Sequence, residues 1–328
     1  MNITGINQSD ICLGFSCPEI SVSTAVYVLL YVSAAAVVLL TVCGNLLIII
    51  SVCHFKQLHT PTNMLILSLA VSDFLVGVLL MPTALIWIIE SCWIFNIIYC
   101  IFFILASFSL TTTSIFIVAL IAVDRYFALS NPFLYTKAVS VNKNCAVVVF
   151  LCILFLCCHI ALQYFNGYYI VTNIVMCPGY CFSHLDEGWF LFDLLVKFAF
   201  PLAVIITLYG RVFVIARKHA TAIRDFNIQR RTKNNTDSMR SERKAAKVLG
   251  ILVSIFVACL LPYYIYTILG IIIQIEIGLF LRILLLLYLN STINPVIYAL
   301  FYPWFRKCVK LILTLRIFNR DSSLMNIL

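Results

Sequence analysis

The chain has 328 residues, 63% of them hydrophobic and only 11% charged, with a net charge of +9. Its mean hydropathy is +1.07. A soluble domain of this length has too little interior to hide so much apolar surface, so the composition excludes an ordinary soluble fold and makes the bilayer the natural solvent.

Seven segments are long and apolar enough to cross hydrocarbon. In chain order, Thr24 to Cys53 has no acid or base, and Met64 to Ile89 has one acid, Asp73. Trp93 to Val123 and Cys145 to about Asn166 are free of charge, and Trp189 to about Val212 carries Asp193 and Lys197. Val248 to Ile275 and Ile283 to Phe305 again have none. Each meets the roughly 20 residues a helix needs to span a membrane. They must be helices, because lipid offers no partner to a bare backbone amide. The fold expected is an all-α membrane protein, a seven-transmembrane helix bundle.

Beyond the bundle, "FYPWFRKCVKLILTLRIF" from Phe301 to Phe318 alternates basic and bulky apolar residues at helical spacing. Starting at Pro303, it suits a short amphipathic helix on the membrane surface. The expected organisation is an N-terminal segment 1–23, a membrane domain 24–302 whose third inner loop covers about 214–242, and an amphipathic helix with tail, 303–328.

Lys and Arg set the orientation. Of 22, all but Lys197 and Arg282 fall in one alternating set of loops, the tail or the adjacent helix ends. The N-terminus is therefore expected outside and the C-terminus inside, and topology alone accounts for the positive charge. Asn2 and Asn7 begin glycosylation acceptors on the outer side. The N-terminus has neither the basic start nor the apolar core of a cleaved signal peptide.

Six of the 14 cysteines lie at the outer face: Cys12, Cys17, Cys92, Cys100, Cys177 and Cys181. An even number in an oxidising compartment suggests three disulfides, with the pairing open. Cys308, beside Arg306 and Lys307, is a candidate for palmitoylation.

Polar groups inside the spans are expensive and therefore candidates for function. Asp73 in span 2 could meet Asn45 of span 1, Ser114 of span 3, and Asn290, Ser291 and Asn294 of span 7. A carboxylate among hydroxyl and amide oxygens can hold a sodium ion. The alternative is a protonated Asp73 that only knits helices together, and the spacing does not choose.

Six motifs now fall in register: Gly44-Asn45, "SLAVSD" ending at Asp73, the "DRY" of Asp124, Arg125 and Tyr126, Pro201 with Tyr209, Pro262, and "NPVIY" from Asn294 and Pro295 to Tyr298. Together they resemble the class A (rhodopsin-like) G-protein-coupled receptors over essentially the whole chain, and Trp93-Ile-Phe resembles that class's first outer loop signature. Within the class, "NSTINPVIYALFYPWF" from Asn290, "SCP" at Ser16 and "ERKAAK" at Glu242 are similar to the trace amine-associated receptors.

The resemblance implies the bridges Cys100–Cys181, Cys12–Cys177 and Cys17–Cys92, with the last two pairings exchangeable. It implies a switch in which Arg125 pairs with Asp124 and Glu242 at rest, then meets a G protein when span 6 swings outward. A guanidinium at the cytoplasmic boundary can trade partners in this way without entering lipid. Tyr209 and Tyr298 would close the active arrangement. Partners implied are an amine ligand, a stimulatory heterotrimeric G protein and arrestin, at the plasma membrane. No cofactor is required beyond an allosteric sodium ion, and no catalytic constellation is present.

The departures from that pattern are as informative. Amine receptors hold the ligand ammonium with an aspartate seventeen residues before the DRY aspartate, where this chain has Ser107. Asp193, eight residues before Pro201, stands in the outer half of span 5. The amine-holding charge is therefore expected on span 5, an exchange that resembles fish olfactory members of the family. Lys197 lies one helical turn further and can bridge Asp193. Two readings stay open: an amine held at Asp193, or a self-neutralised pair in a receptor for a zwitterionic or non-amine odorant. Ser107, Tyr263, Tyr264, Tyr288 and Lys197 complete the expected pocket, with Phe192 beside them. Leu260 stands where the family usually has a Trp, which removes the bulky ring thought to sense ligand. A small-solute transporter would also explain intramembrane charge, but the odd number of spans and the lack of an internal repeat oppose it.

Overall fold

The computed structural model describes residues 17, 23–165, 179, 181, 191, 194–229, 250–251, 253–269, 277–319 and 322–327. Span 1 is Thr24–His54, span 2 Pro61–Glu90, span 3 Ile97–Ser130 and span 4 Val141–Phe165. Span 5 runs from Leu194 to Gln229, span 6 is described as Val253–Leu269, and span 7 is Ile277–Phe301. Six of these helices are long and apolar enough to cross a membrane, and the described part of span 6 is shorter. An amphipathic helix, Pro303–Leu313, follows span 7.

The helix starts are written locally. Pro61 opens span 2 behind Thr60, whose hydroxyl accepts from Asn63 N at 3.3 Å, and Asn96 Oδ1 caps span 3 by accepting from Tyr99 N at 2.8 Å. Span 2 ends at Ser91 in the left-handed conformation, φ 49°. Span 5 stays helical to Gln229, so the inner loop that begins at about residue 214 opens as a continuation of this helix.

Two helices widen into π turns, at Val76–Leu80 and Leu194–Ala199. Each lies one turn before a proline, Pro82 or Pro201. A proline ring clashes with the carbonyl four residues back and leaves it without a donor, and a wider turn relieves both defects. The second of these turns carries Lys197.

The buried side chains form two clusters. One, near Arg125, includes Ile48, Leu69, Ile121, Phe256, Tyr298 and Trp304. The other, near the disulfides, includes Trp87, Trp93, Phe103 and Tyr288. Span 2 is largely enclosed, whereas span 4 turns almost its whole apolar surface outward, as a lipid-facing helix should. Span 1 packs so closely on span 7 that a Cβ at Gly44 would stand 2.7 Å from Pro295 Cβ.

At one end, disulfides Cys17–Cys92 and Cys100–Cys181 tie the chain to spans 2 and 3, with Cα separations of 5.3 and 5.7 Å. Trp93 N donates to Gly179 O at 2.6 Å. Gly179 has φ 95°, and a Cβ there would meet Cys17 Sγ at 2.7 Å, so glycine is required for both backbone and space. Cys12–Cys177 and the acceptors Asn2 and Asn7 lie outside the described residues. At the opposite end the tail folds back on span 1. His54 Nε2 and Ser322 Oγ share a hydrogen bond of 2.9 Å, and Ile327 N donates to Gln57 Oε1 at 3.0 Å. Ser322 and Ile327 are both buried.

Candidate functional site

Toward the disulfide end, Ser107 of span 3 and Tyr288 of span 7 share a hydrogen bond of 3.0 Å. Tyr288 is buried, so the position usually acidic in amine receptors is held in a neutral hydroxyl pair. Across from it, the π turn before Pro201 brings Lys197 to span 3, where its Nζ stands 4.2 Å from the ring centroid of Phe108. Such a contact stabilises a cation by roughly 0.5–2 kcal/mol. Lys197 is buried, and the next residue, Phe198, stacks on Tyr264 of span 6 at 4.2 Å. Tyr263 meets Tyr264 edge-on at 5.4 Å and is only partly buried. Tyr264 thus packs span 6 against span 5, leaving Tyr263 the more accessible of the two. Phe192 and Asp193 lie outside the described residues.

In the middle of the bundle, Asp73 is fully buried. Its Oδ1 accepts from Ser291 Oγ and its Oδ2 from Asn294 Nδ2, both at 2.7 Å. Asn45 Nδ2 donates to Thr41 O at 2.9 Å and Ser291 O at 3.1 Å, while Thr41 and Thr292 share a 2.6 Å hydroxyl contact. The expected oxygen set is therefore only partly assembled on the carboxylate. Ser114 pairs instead with Ser72 at 2.9 Å, because Ser72 points its hydroxyl at span 3 from the residue before Asp73. Ser114, Asn290 and Ser291 still line one narrow cavity with Leu260, Phe256 and Tyr288. Leu260 thus fills the usual Trp position as part of the cavity wall. Among the described residues no cluster of His, Cys, Asp and Glu could chelate a metal.

At the far end, Arg125 is closed onto Asp124. Nη2 lies 2.6 Å and Nε 3.1 Å from Asp124 Oδ2. Nη2 also donates to Thr62 Oγ1, which itself donates to Asp124 Oδ2 at 2.7 Å. Tyr135, on the short helix Pro132–Ala138 after span 3, donates its hydroxyl to Asp124 Oδ1 at 2.8 Å. Burial, followed by the bond to Asp124, raises the Tyr135 phenol above its ordinary pKa, so it remains a proton donor throughout the physiological range. Charge-assisted bonds of this kind are the stronger ones. Tyr126 packs against Phe127, and Glu242 lies outside the described residues. The hydroxyls of Tyr209 and Tyr298 have no hydrogen-bond partner among the described residues, so the two tyrosines are not joined in this arrangement. Pro295 lies inside the helix of span 7, between Asn294 and Tyr298.

The palmitoylation candidate lies in the protein interior. Cys308 is completely buried, in the core with Trp304 and Phe305. Burial pushes its thiol up to about 11, so little thiolate is present near neutrality. An enclosed thiol of that acidity is a poor acyl acceptor. The signal was in the sequence: Cys308 follows Trp304 by one helical turn, while Arg306, Lys307 and Lys310 occupy the other faces. Thr62 and Tyr135 were not anticipated as partners of Asp124. They come from separate elements and carry no motif of their own.

Comparison with known proteins gives the class first. The model of the seven-transmembrane receptor (rhodopsin) family matches residues 44–298. The chain belongs to that family and is a multi-pass plasma-membrane G-protein-coupled receptor, not an enzyme. Its relatives are more specific. It is 37% identical to trace amine-associated receptor 13c of Danio rerio over 285 residues, 84% of this chain and 82% of the relative. It is equally 37% identical to trace amine-associated receptor 6 of Homo sapiens over 330 residues, 95% and 93% of the two chains. Identity to trace amine-associated receptor 9 of Mus musculus is 37% over 288 residues, 84% and 81% of the two chains. Within the rhodopsin family the chain is therefore a trace amine-associated receptor.

Proposed function

We propose that this receptor detects an amine and holds its ammonium at Asp193 on span 5. The observation that supports this reading most is the neutral Ser107–Tyr288 pair, which leaves no carboxylate at the usual span 3 position. Asp73 is too deep, and both its oxygens already accept hydrogen bonds. Glu90, the last residue of span 2, already accepts from the Tyr27 and Tyr31 hydroxyls of span 1, and Asp193 is the remaining acid within the outer half of the spans. A buried organic cation needs such a carboxylate, because its desolvation is otherwise uncompensated. Tyr263 and Tyr288 supply aromatic faces, and Ser107 a hydroxyl for a hydroxylated amine.

One observation favours a second ligand class. Lys197 is buried over Phe108, four residues after Asp193. A zwitterionic ligand would use both charges of span 5, whereas a simple amine must share Asp193 with Lys197.

Occupation of this pocket is read as driving span 6 outward, releasing Arg125 from Asp124 and admitting a stimulatory G protein, with arrestin as the later partner. The N-terminus is placed outside, with Asn2 and Asn7 glycosylated, and the C-terminus in the cytoplasm. Asp73 is read as an allosteric sodium site. The Ser291 hydroxyl is bonded to Asp73 and shares a narrow cavity with Ser114, and Asn45 Oδ1 is a buried oxygen with no donor among the described residues. Sodium should then lower agonist affinity in wild type but not in Asp73→Asn; salt-insensitive affinity in wild type would contradict it.

The test of ligand and coupling is a cAMP response in cells across monoamines, diamines and amino acids. An amine should raise cAMP in wild type, Asp193→Asn should abolish the response at equal surface expression, and Lys197→Ala should keep or sharpen it. A wild-type response in surface-expressed Asp193→Asn would sink the assignment. Amino acids active only while Lys197 is present would select the zwitterionic class.

A further inference from the structure

We infer that the junction between span 7 and the amphipathic helix is a binding site for one anionic glycerophospholipid. Tyr302, extended at φ −104° and ψ 106°, breaks the helix ahead of Pro303, so the chain turns sharply. The turn leaves an open cleft of about 410 Å³. Ala299, Phe305, Val309 and Leu313 form its apolar wall, and Arg306 and Lys310 are the basic groups on its lining.

The two cations lie one helical turn apart on the same face. Arg306 is fixed in place: its Nη1 donates to Ala299 O at 3.1 Å and Leu300 O at 2.8 Å, satisfying carbonyls that the end of span 7 would otherwise leave bare. A guanidinium has five N–H donors, so others remain for a phosphate oxygen. Lys310 is exposed and adds a second, mobile donor. Around the cleft, Leu300, Phe301 and Leu313 expose 64%, 41% and 72% of their surface, a patch that acyl chains can cover.

This combination suits a ligand with a phosphodiester head, a net negative charge and a hydrocarbon chain. A serine head keeps that charge because its carboxylate balances its own ammonium. Phosphatidylserine fits, whereas the quaternary ammonium of phosphatidylcholine would be brought against the two basic groups. The occupant is a lipid rather than soluble phosphate because most of the lining is apolar. Its assignment to the cytoplasmic leaflet rests on the orientation proposed above; the binding itself does not. One basic side chain near an anionic membrane surface changes binding by about five-fold.

Lys307 provides an internal control. It has the same charge on the same helix, yet it does not line the cleft. The experiment is native mass spectrometry of the purified full chain in micelles doped with equal phosphatidylserine and phosphatidylcholine, counting retained lipids. Wild type should retain phosphatidylserine preferentially, by about five-fold or more. Lys310→Ala should lower that ratio about five-fold and Lys310→Glu further, while Lys307→Ala leaves it unchanged. Equal retention of the two lipids in wild type would overturn the inference. So would an equal loss in Lys307→Ala and Lys310→Ala, which would mean diffuse surface charge. Displacement by soluble glycerophosphoserine would reduce the site to one for a free headgroup and would also overturn it. A functional ligand assay plays no part in this readout, so failure of the amine reading leaves it intact.

Discussion

The inner and outer halves of the bundle treat their polar groups differently. In the inner half Asp73 and Asp124 are each closed into a network drawn from other parts of the bundle. Asp73 accepts from two span 7 side chains, and Asp124 accepts from Thr62, Arg125 and Tyr135. In the outer half the polar groups are sorted by wall: Tyr27 and Tyr31 of span 1 hold Glu90 of span 2, a neutral hydroxyl pair joins spans 3 and 7, and Lys197 puts a charge on span 5. On the proposed reading the inner network holds the resting state, and it carries the family's motifs. On the same reading the outer half meets the ligand, and there the chain departs from the usual pattern. Such a receptor would change what it senses by moving a charge between walls while its switch stays intact.

The largest way to break this comparison is to remove the outer frame. Cys100→Ser opens the bridge to Cys181 and should cost about 2–5 kcal/mol, read as a large fall in surface expression and in melting temperature. Signalling from the few molecules that reach the surface should keep its basal level, because the inner network is untouched. Asp124→Asn attacks the other half. It weakens charge-assisted bonds worth about 1.5–3 kcal/mol and should raise ligand-free cAMP, leaving amine affinity nearly unchanged. Unaltered basal signalling would mean the Arg125–Asp124 contact does not hold the resting state.

Gly44→Ala tests the seam between spans 1 and 7. With Pro295 Cβ only 2.7 Å from the new methyl group, the helices must shift, at about 1–3 kcal/mol. Gly210→Ala is the control, since nothing lies within 4 Å of a Cβ there; its effect should be neutral or slightly stabilising. The smallest effect is expected at the tail. His54→Ala removes the bond to Ser322 and should loosen residues 322–327 by about 1 kcal/mol, seen as faster amide exchange at Ile327 with no change in signalling.

Much of the fold was legible because membrane spans obey a severe rule. Runs of apolar residues near the length of a bilayer can hardly be anything but helices, and Pro303 marks a start that the structure shows. Side-chain partners across the bundle were less legible. The sequence places Asp73, Ser114 and Asn290 at compatible depths, but depth does not fix rotation, and Ser72 took the Ser114 hydroxyl. The π turn under Lys197 follows from Pro201, yet its contact with Phe108 depends on how spans 3 and 5 pack. The burial of Cys308 was less legible, because the adjacent basic residues suggest a surface while the Trp304 spacing points inward.

The central claim is that the ligand's positive charge is held from span 5, and equilibrium binding of a labelled activating monoamine tests it most directly. Dissociation constants would be measured for wild type, Asp193→Asn and Asp193→Glu in the same membranes. Losing one partner of a buried charge pair costs at least about 2 kcal/mol, so Asp193→Asn should weaken binding by about 30-fold or more, with Asp193→Glu recovering part of the loss. Unchanged affinity in Asp193→Asn would contradict the account and leave the ammonium to another wall of the pocket.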